Sequence, residues 1–521
     1  MKPLFICQSN SFGLFFRLAQ VLEQRFSCDK GLFVTSDRFF FEEFETLVGK
    51  IDRDRVLAEW DIAAMARAHP QAGSAVDFEA RYGVSFWRVL TSDRRLITGW
   101  CSAFVQDYGA RLSEAEMISR GHHACEAISG FFDRTKPSHV IGFNCVTYIE
   151  YIAYLEARAR NIPIFNLRPV RILNYVVGDD FILDPPAAFQ RHYKDPHYIP
   201  SAGALGAAKH FLESLHGGPM LYEGAVPLRK EDKKVATVKA RPSFVRRLVQ
   251  KLKRTNKGEA DTHGPPPLSK TWRHRIAQPF RVRMMRTWTR RHCTSMAQLG
   301  TGSFAFFPLH TEPEVALLLY APAYQNQLEV VRNVACSLPS HMKLVVKDHP
   351  IGHTRRKRGY YEKLLAIPNV VLADPSIDSK TLIDRCALVT TIVGSIGIEA
   401  LVRKRPVLVL SPCATYRVLT DSPMLRYSTD LNALDKTIDD LLRNYRYDDD
   451  FMLRFLTANL EDAFPLNLYS VLLEKEGVTK GAHSGSYDDE VARLAERVVA
   501  WGKPRRTEGA GTQRDVGVER L

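Results

Sequence analysis

At 521 residues the chain is too long for a single hydrophobic core, and its 45% apolar and 25% charged content is that of a folded globular protein, not a disordered or fibrous one. No stretch approaches the run of about 18 apolar residues that a membrane span needs. Nine scattered cysteines with no CxxC pair exclude a zinc ribbon or a disulfide framework and point to a reducing, cytoplasmic setting.

The first half alternates strand and helix patterns. Leu4 to Cys7 reads as a first strand and not as a signal peptide, because the apolar run stops at Gln8. The small polar turn Gln8-Ser-Asn-Ser-Phe-Gly13 follows, with Asn10 and Gly13 expected to shape a ligand loop. An amphipathic helix over Phe15 to Phe26 and a strand over Gly31 to Thr35 come next. Residues 56 to 135 read as mostly helical, with Trp60, Trp87 and Trp100 packing there. A strand over Ser138 to Phe143, a helix over Tyr148 to Arg160 and a strand over Ile162 to Leu167 restore the βαβ rhythm of a parallel sheet.

Residues 225 to 300 break that rhythm. Between Arg229 and Arg291 there are 20 Lys or Arg against four acids, a local excess of +16 within a total of +14. The rest of the chain is therefore close to neutral, and the basic character belongs to one insertion. Gly264-Pro-Pro-Pro267 interrupts it, and Phe244 to Leu252 and Phe280 to Trp288 are its amphipathic pieces. The first of these predicts a helix lying on an anionic bilayer, with a solvated loop as the plain alternative. A second α/β unit starts at Phe304, with strands at Lys343 to Val346, Val370 to Leu372, Leu388 to Ile392 and Val407 to Leu410. The expected domains are 1–224, an acceptor-side α/β unit; 225–300, the basic insertion; 301–478, a nucleotide-binding α/β unit; and 479–521, a helix and loose tail.

Two strand ends in the second unit carry the chemistry. Leu344 to Val346 breaks at Lys347-Asp-His-Pro350, and Val389 to Val393 runs into Gly394-Ser-Ile-Gly397 and then Glu399. A strand, a glycine turn and a helix start leave backbone N–H groups free to hold a phosphate. A pair of such ends suggests a nucleotide site in an α/β domain. His353 shares a loop with His349, but Pro350 and Gly352 rule out a regular helical metal pair. Asp52-Arg-Asp54 is a formal DxD whose own arginines pair it locally.

These segments, with Phe307-Pro-Leu-His-Thr-Glu-Pro-Glu-Val315, Pro368-Asn-Val-Val-Leu372, Asp384 and Arg405-Pro-Val-Leu-Val-Leu410, resemble the capsule polysaccharide biosynthesis glycosyltransferases, the broad family that includes bacterial β-Kdo transferases (Kdo being 3-deoxy-manno-octulosonic acid). The resemblance is specific over residues 304 to 420 and weaker over 1 to 190. It implies a GT-B fold, two Rossmann-like domains with parallel sheets facing a central cleft, and in one branch a CMP-activated donor. On that reading Lys347, His349, Ser395 and Gly397 hold the leaving phosphate, with no cofactor and no metal. Glu399 accepts from ribose hydroxyls, and His310 and Glu314 face the cleft. On the acceptor side Glu150 and Asp180 are candidate catalytic carboxylates, and Arg168 and Arg171 candidate partners for an acidic sugar. Helix-surface charge is the plain alternative for Glu150, and a turn for Asp179 and Asp180.

The expected function is transfer of a nucleotide-activated sugar, CMP-Kdo or a related acidic sugar first, to a lipid-linked or growing glycan. The protein would be cytoplasmic or peripheral on the inner face of the membrane. A polyol-phosphate transferase of the teichoic type is the rival enzyme, although that class usually carries Asp-Tyr-Ser-Ser where this chain has Val393-Gly-Ser-Ile. A basic scaffold for acidic polymer is the non-enzymatic rival. Nucleic acid is not an expected partner, since the basic segment has few aromatics spaced for stacking.

Overall fold

The computed structural model describes residues 1–8, 11–70, 75–97, 112–215, 268–300, 302–349, 356–472 and 485–502. Asn10, Trp100, His353 and the Phe244 to Leu252 piece lie outside these.

The first sheet has seven strands, β1 (Pro3–Cys7), β2 (Leu32–Thr35), β3 (Val56–Ala58), β4 (His139–Gly142), β5 (Ile164–Pro169), β6 (Tyr175–Asp179) and β13 (Phe464–Pro465), ordered β13-β6-β5-β4-β1-β2-β3. The strands from β1 to β5 pair in parallel through helical crossovers, as the alternating pattern predicts. Strand β6 differs. It pairs antiparallel with β5, Asn166 opposite Asp179, so the sheet is not wholly parallel. The link 170–174 is too short for a crossover and folds back as a hairpin.

The second sheet is parallel throughout: β7 (Phe304–Pro308), β8 (Lys343–Lys347), β9 (Val370–Leu372), β10 (Leu388–Thr391), β11 (Val407–Val409) and β12 (Leu425–Tyr427), ordered β12-β11-β10-β7-β8-β9. Its strands are short β-branched or aromatic runs buried on both faces, as a sheet covered by helices requires. The chain winds outward from β7 in one direction through β8 and β9. It then returns to the other side of β7 for β10, β11 and β12. The strands carrying the two phosphate motifs are therefore not neighbours, because β7 lies between them.

The two units meet along the carboxyl ends of their strands. Leu319 of the second unit lies in the same core cluster as Cys145 and Tyr148, which follow β4. The helices Ala187–Lys194 and Ala202–Leu215 pack on the helix Asp449–Leu460, with Phe189 edge-on to Phe455. The chain then crosses back. Phe464 pairs with Val176, and the helix Tyr487–Trp501 lies on the helix Phe12–Phe26, where Arg17 meets Asp488 at 3.1 Å. Residues 464–472 and 485–502 thus belong with the first sheet. Two doubly wound sheets with facing strand ends, tied by a returning C-terminal segment, form the GT-B architecture.

Trp60 packs inside as expected, but Trp87 is exposed on the helix Phe86–Thr91. Asp52 serves as an N-cap, accepting from the Asp54 backbone N–H at 3.0 Å. The helix Leu268–His292 runs through Pro279 and buries Met285 and Trp288.

Candidate functional site

In an open α/β sheet ligands bind where the winding reverses, beyond the carboxyl ends of the two strands flanking the reversal. In the second sheet that point lies between β7 and β10. His310 follows β7, and Val393, Gly394 and Ser395 follow β10. The two loops touch: His310 Nε2 lies 3.3 Å from the Val393 backbone N–H and can accept from it. Gly394 has φ +114, a conformation that side chains avoid, and a Cβ there would sit 3.3 Å from His310 Cε1. Only glycine lets this turn lie against the imidazole. His310 is held near pKa 4, first by burial and then by the charges of Arg356 and Arg171, so the ring is neutral at physiological pH.

A polar network fixes this crevice from beneath. Gln327 accepts from the His310 backbone N–H at 2.7 Å and donates to the His310 carbonyl at 3.0 Å. Arg356, with no exposed side-chain surface, also donates to that carbonyl. The same guanidinium pairs with Asp348 at 3.2 Å and with Glu312 at 3.5 Å. Asp348 in turn accepts from the His349 backbone N–H at 2.7 Å and from the Tyr361 hydroxyl. One buried arginine therefore ties the end of β8 to the end of β7 and sets where the exposed His349 stands. Arg356, Gln327, Glu312 and Tyr361 have no motif that announces them.

The other donor-side candidates divide. Ser395 is partly exposed at the head of the helix Ile396–Val402 and donates to Glu399 at 3.4 Å. Burial raises the Glu399 carboxyl to about 7, and the Ser395 bond only partly opposes this. Gly397 is buried beneath Tyr416, whose ring would lie 2.4 Å from a Cβ at that position. Glu314 is exposed ahead of the helix Val315–Leu318. Lys347 does not join them. Its amine donates to Ser379 at 3.1 Å, toward the loop after β9, and burial lowers its pKa while Asp378, Asp348 and Asp374 raise it.

The acceptor-side readings need correction. Glu150 is fully buried and completes a capping box with Thr147. It accepts from the Ser36 hydroxyl at 2.6 Å and from the Val146 and Thr147 backbone N–H groups at 2.9 and 3.2 Å. Burial raises its carboxyl to about 7, and those three donors pull it back only in part. It shows the cleft no surface.

Asp180 is exposed but sits at the wrong edge. Because β6 runs antiparallel, its end lies beside the start of β5, and Asp180 accepts from the Ile164 backbone N–H at 3.2 Å. Arg168 is occupied by Asp179 at 3.0 Å and by the carbonyls of Phe181 and Asp184. Burial lifts Asp179 to about 6 even with that guanidinium beside it. Gly13 is buried inside the helix Phe12–Phe26, not in a loop. Arg171 sits partly exposed at the tip of the β5–β6 hairpin.

The fold is that of a GT-B protein, with a crevice at the reversal point of its second sheet. The family model described as capsule polysaccharide biosynthesis protein matches residues 269–422, which contain the whole crevice. No curated protein matches the chain. Among solved structures it is similar to two of KpsC from Thermosulfurimonas dismutans. The β-Kdo 2,4-transferase shows 12% identity and TM-score 0.37, over 69% of this chain and 87% of that one. The β-Kdo 2,7-transferase shows 12% identity and TM-score 0.30, over 73% and 90%. The UDP-GlcNAc 2-epimerase of Methanocaldococcus jannaschii is similar at 14% identity and TM-score 0.26, over 87% and 96%. Scores this low bear on neither activity nor ligand.

Proposed function

We propose that the protein is a glycosyltransferase of capsule or surface polysaccharide synthesis that takes a nucleotide-activated sugar, CMP-Kdo or a related acidic sugar first. The observation that carries this reading is the meeting of His310 with the Gly394 turn at the reversal point of the second sheet, beside the exposed His349 and Ser395. A departing nucleotide phosphate gains negative charge, and preorganised donors in a sheltered crevice stabilise it at little reorganisation cost. His349 and Ser395 are the side-chain donors. Glu399 stands four residues beyond Ser395, where a ribose hydroxyl can donate to it. The helix Ile396–Val402 is short, so these side chains bear more of the work than its dipole.

In this reading the acceptor is lipid-linked or a growing glycan, and the helix Leu268–His292 brings the cleft to an anionic bilayer. Ile276, Phe280 and Met284 recur every four residues on one face, 57%, 73% and 52% exposed. Arg283, Arg286, Arg290 and Arg291 are exposed along the same helix. An apolar ridge flanked by arginines suits an interfacial helix, with each cation near an anionic surface worth about 1 kcal/mol. Among the described residues no helix is long and apolar enough to cross a membrane.

The test is a transfer assay with CMP-Kdo, UDP-sugars and a polyol-phosphate donor against lipid-linked and soluble oligosaccharide acceptors. Release of CMP with extension of the acceptor supports the reading. Turnover of the polyol-phosphate donor alone would replace it with the teichoic-type reaction. Co-sedimentation with anionic but not neutral vesicles, weakening as salt rises, tests the membrane face.

A further inference from the structure

The hairpin joining β5 to β6 has a feature that its place in the first domain does not explain. Two of its non-glycine residues, Arg171 and Leu173, adopt left-handed backbone conformations, φ +64 and +51. Such conformations are costly for ordinary residues and persist where the surroundings hold them. Here the surroundings belong to the other domain. Ile172, between them, is fully buried in the core cluster built mainly by the second sheet, and Val170, Leu173 and Tyr175 pack against that cluster. The hairpin tip is therefore pinned into the second domain.

Its one charged side chain, Arg171, is partly exposed and makes no hydrogen bond or ion pair among the described residues. Its charge nevertheless acts on His310, Tyr320 and Tyr416, all in the second domain. Tyr416 supplies the other half. Its ring covers Gly397, it is 3% exposed, and its hydroxyl has no hydrogen-bond partner among the described residues. A buried hydroxyl without a partner is costly, and Tyr416 shares its core cluster with Ile172, the neighbour of Arg171, so the two groups can share an anion.

We propose that Arg171, carried over by the β5–β6 hairpin, and the Tyr416 hydroxyl together bind a phosphate oxyanion of the donor nucleotide, closing the Gly394 to Gly397 turn from the opposite domain. This rests on the nucleotide-donor reading above and extends it. The phosphate site is then shared between the two domains, with the pinned hairpin holding Arg171 in place. Arg168, two residues before the hairpin turn, cannot substitute because it is already neutralised.

Isothermal titration of the full chain with CMP, cytidine, inorganic pyrophosphate and free Kdo tests this, with melting temperature as a check on folding. Arg171→Gln should weaken CMP and pyrophosphate about 10- to 100-fold and leave cytidine unchanged. Arg171→Lys should recover part of the loss, since a point charge keeps attraction without the planar fork. Tyr416→Phe removes only an unpartnered hydroxyl. It should fold normally and weaken CMP about 3- to 10-fold, so it serves if the arginine variant fails to fold.

Equal CMP affinity in wild type, Arg171→Gln and Tyr416→Phe would overturn the shared site while leaving the donor reading intact. A loss confined to free Kdo would also overturn it, by assigning the guanidinium to a sugar carboxylate. Arginine-dependent pyrophosphate binding with no nucleotide bound would keep the anion site and sink the donor reading.

Discussion

Glu150 and Glu399 start from the same position in the two domains and end in opposite states. Each lies in the first turns of a helix that follows a parallel strand, and burial pushes each carboxyl up to about 7. Glu150 is the third residue after its cap, Thr147, and so reaches back to the cap's own backbone N–H. Glu399 is the fourth after Ser395 and, among the described residues, accepts a hydrogen bond only from the serine hydroxyl, at 3.4 Å. One residue of spacing thus separates a carboxylate consumed by folding from one left partly exposed beside a crevice. A carboxylate at a strand end is not a site until its backbone obligations have been counted.

The sharpest way to break that contrast is to remove each group in turn. Glu150→Ala leaves the Ser36 hydroxyl and two backbone N–H groups without their acceptor, and should cost about 4 kcal/mol of stability by denaturant melting. Glu399→Gln should cost under about 1 kcal/mol, while weakening a ribonucleotide about tenfold relative to its 2′-deoxy form. If the two stability losses were alike, the spacing argument would be wrong.

Acidification separates His310 from Glu150. The folded-state pKa of His310 falls from 6.5 to about 4, so its contribution is full above pH 6.5 and is lost as pH falls toward 4, at most about 3 kcal/mol. Glu150 is raised from 4.5 to about 7, so its contribution is full below pH 4.5 and is lost as pH rises through 7. The two oppose each other between pH 4.5 and 6.5. Relative to wild type over that window, His310→Gln should gain stability on acidification and Glu150→Gln should lose it. Matching slopes in all three proteins would show that neither group titrates as its surroundings require.

At the second-domain crevice, His349→Ala and Ser395→Ala should leave the fold intact and slow transfer about 10- to 150-fold, the worth of one hydrogen bond to a developing charge. Normal turnover by both on the true donor would remove them from the phosphate site. The smallest expected effect is that of EDTA. With His349, Ser395 and Arg171 meeting the phosphate, turnover should persist after chelation, and its loss with rescue by magnesium or manganese would contradict this.

Much of the second sheet was legible because each of its strands is a continuous β-branched or aromatic run broken by polar residues at one end. His310, His349 and the Gly394 turn could be found that way. Their arrangement could not, since nothing in the order of the motifs says that β7 separates β8 from β10. Arg356 was invisible for a different reason. A lone arginine in a loop looks solvated until Glu312, Asp348 and the His310 carbonyl close around it.

Two misreadings had signals in the chain. The link 170–174 is too short for a parallel crossover, which predicts the hairpin and moves Asp180 away from the cleft. Thr147-x-x-Glu150 is itself a capping-box pattern.

The central claim is that the reversal point of the second sheet binds a nucleotide. A thermal-shift panel of CMP, CDP, UDP and GDP on the wild-type chain tests it most directly, with His349→Ala and Ser395→Ala alongside. One nucleotide at about 100 times its dissociation constant should stabilise the wild type by about 2.7 kcal/mol, and both variants less at the same concentration. Silence across the panel, or equal shifts in all three proteins, would contradict the account.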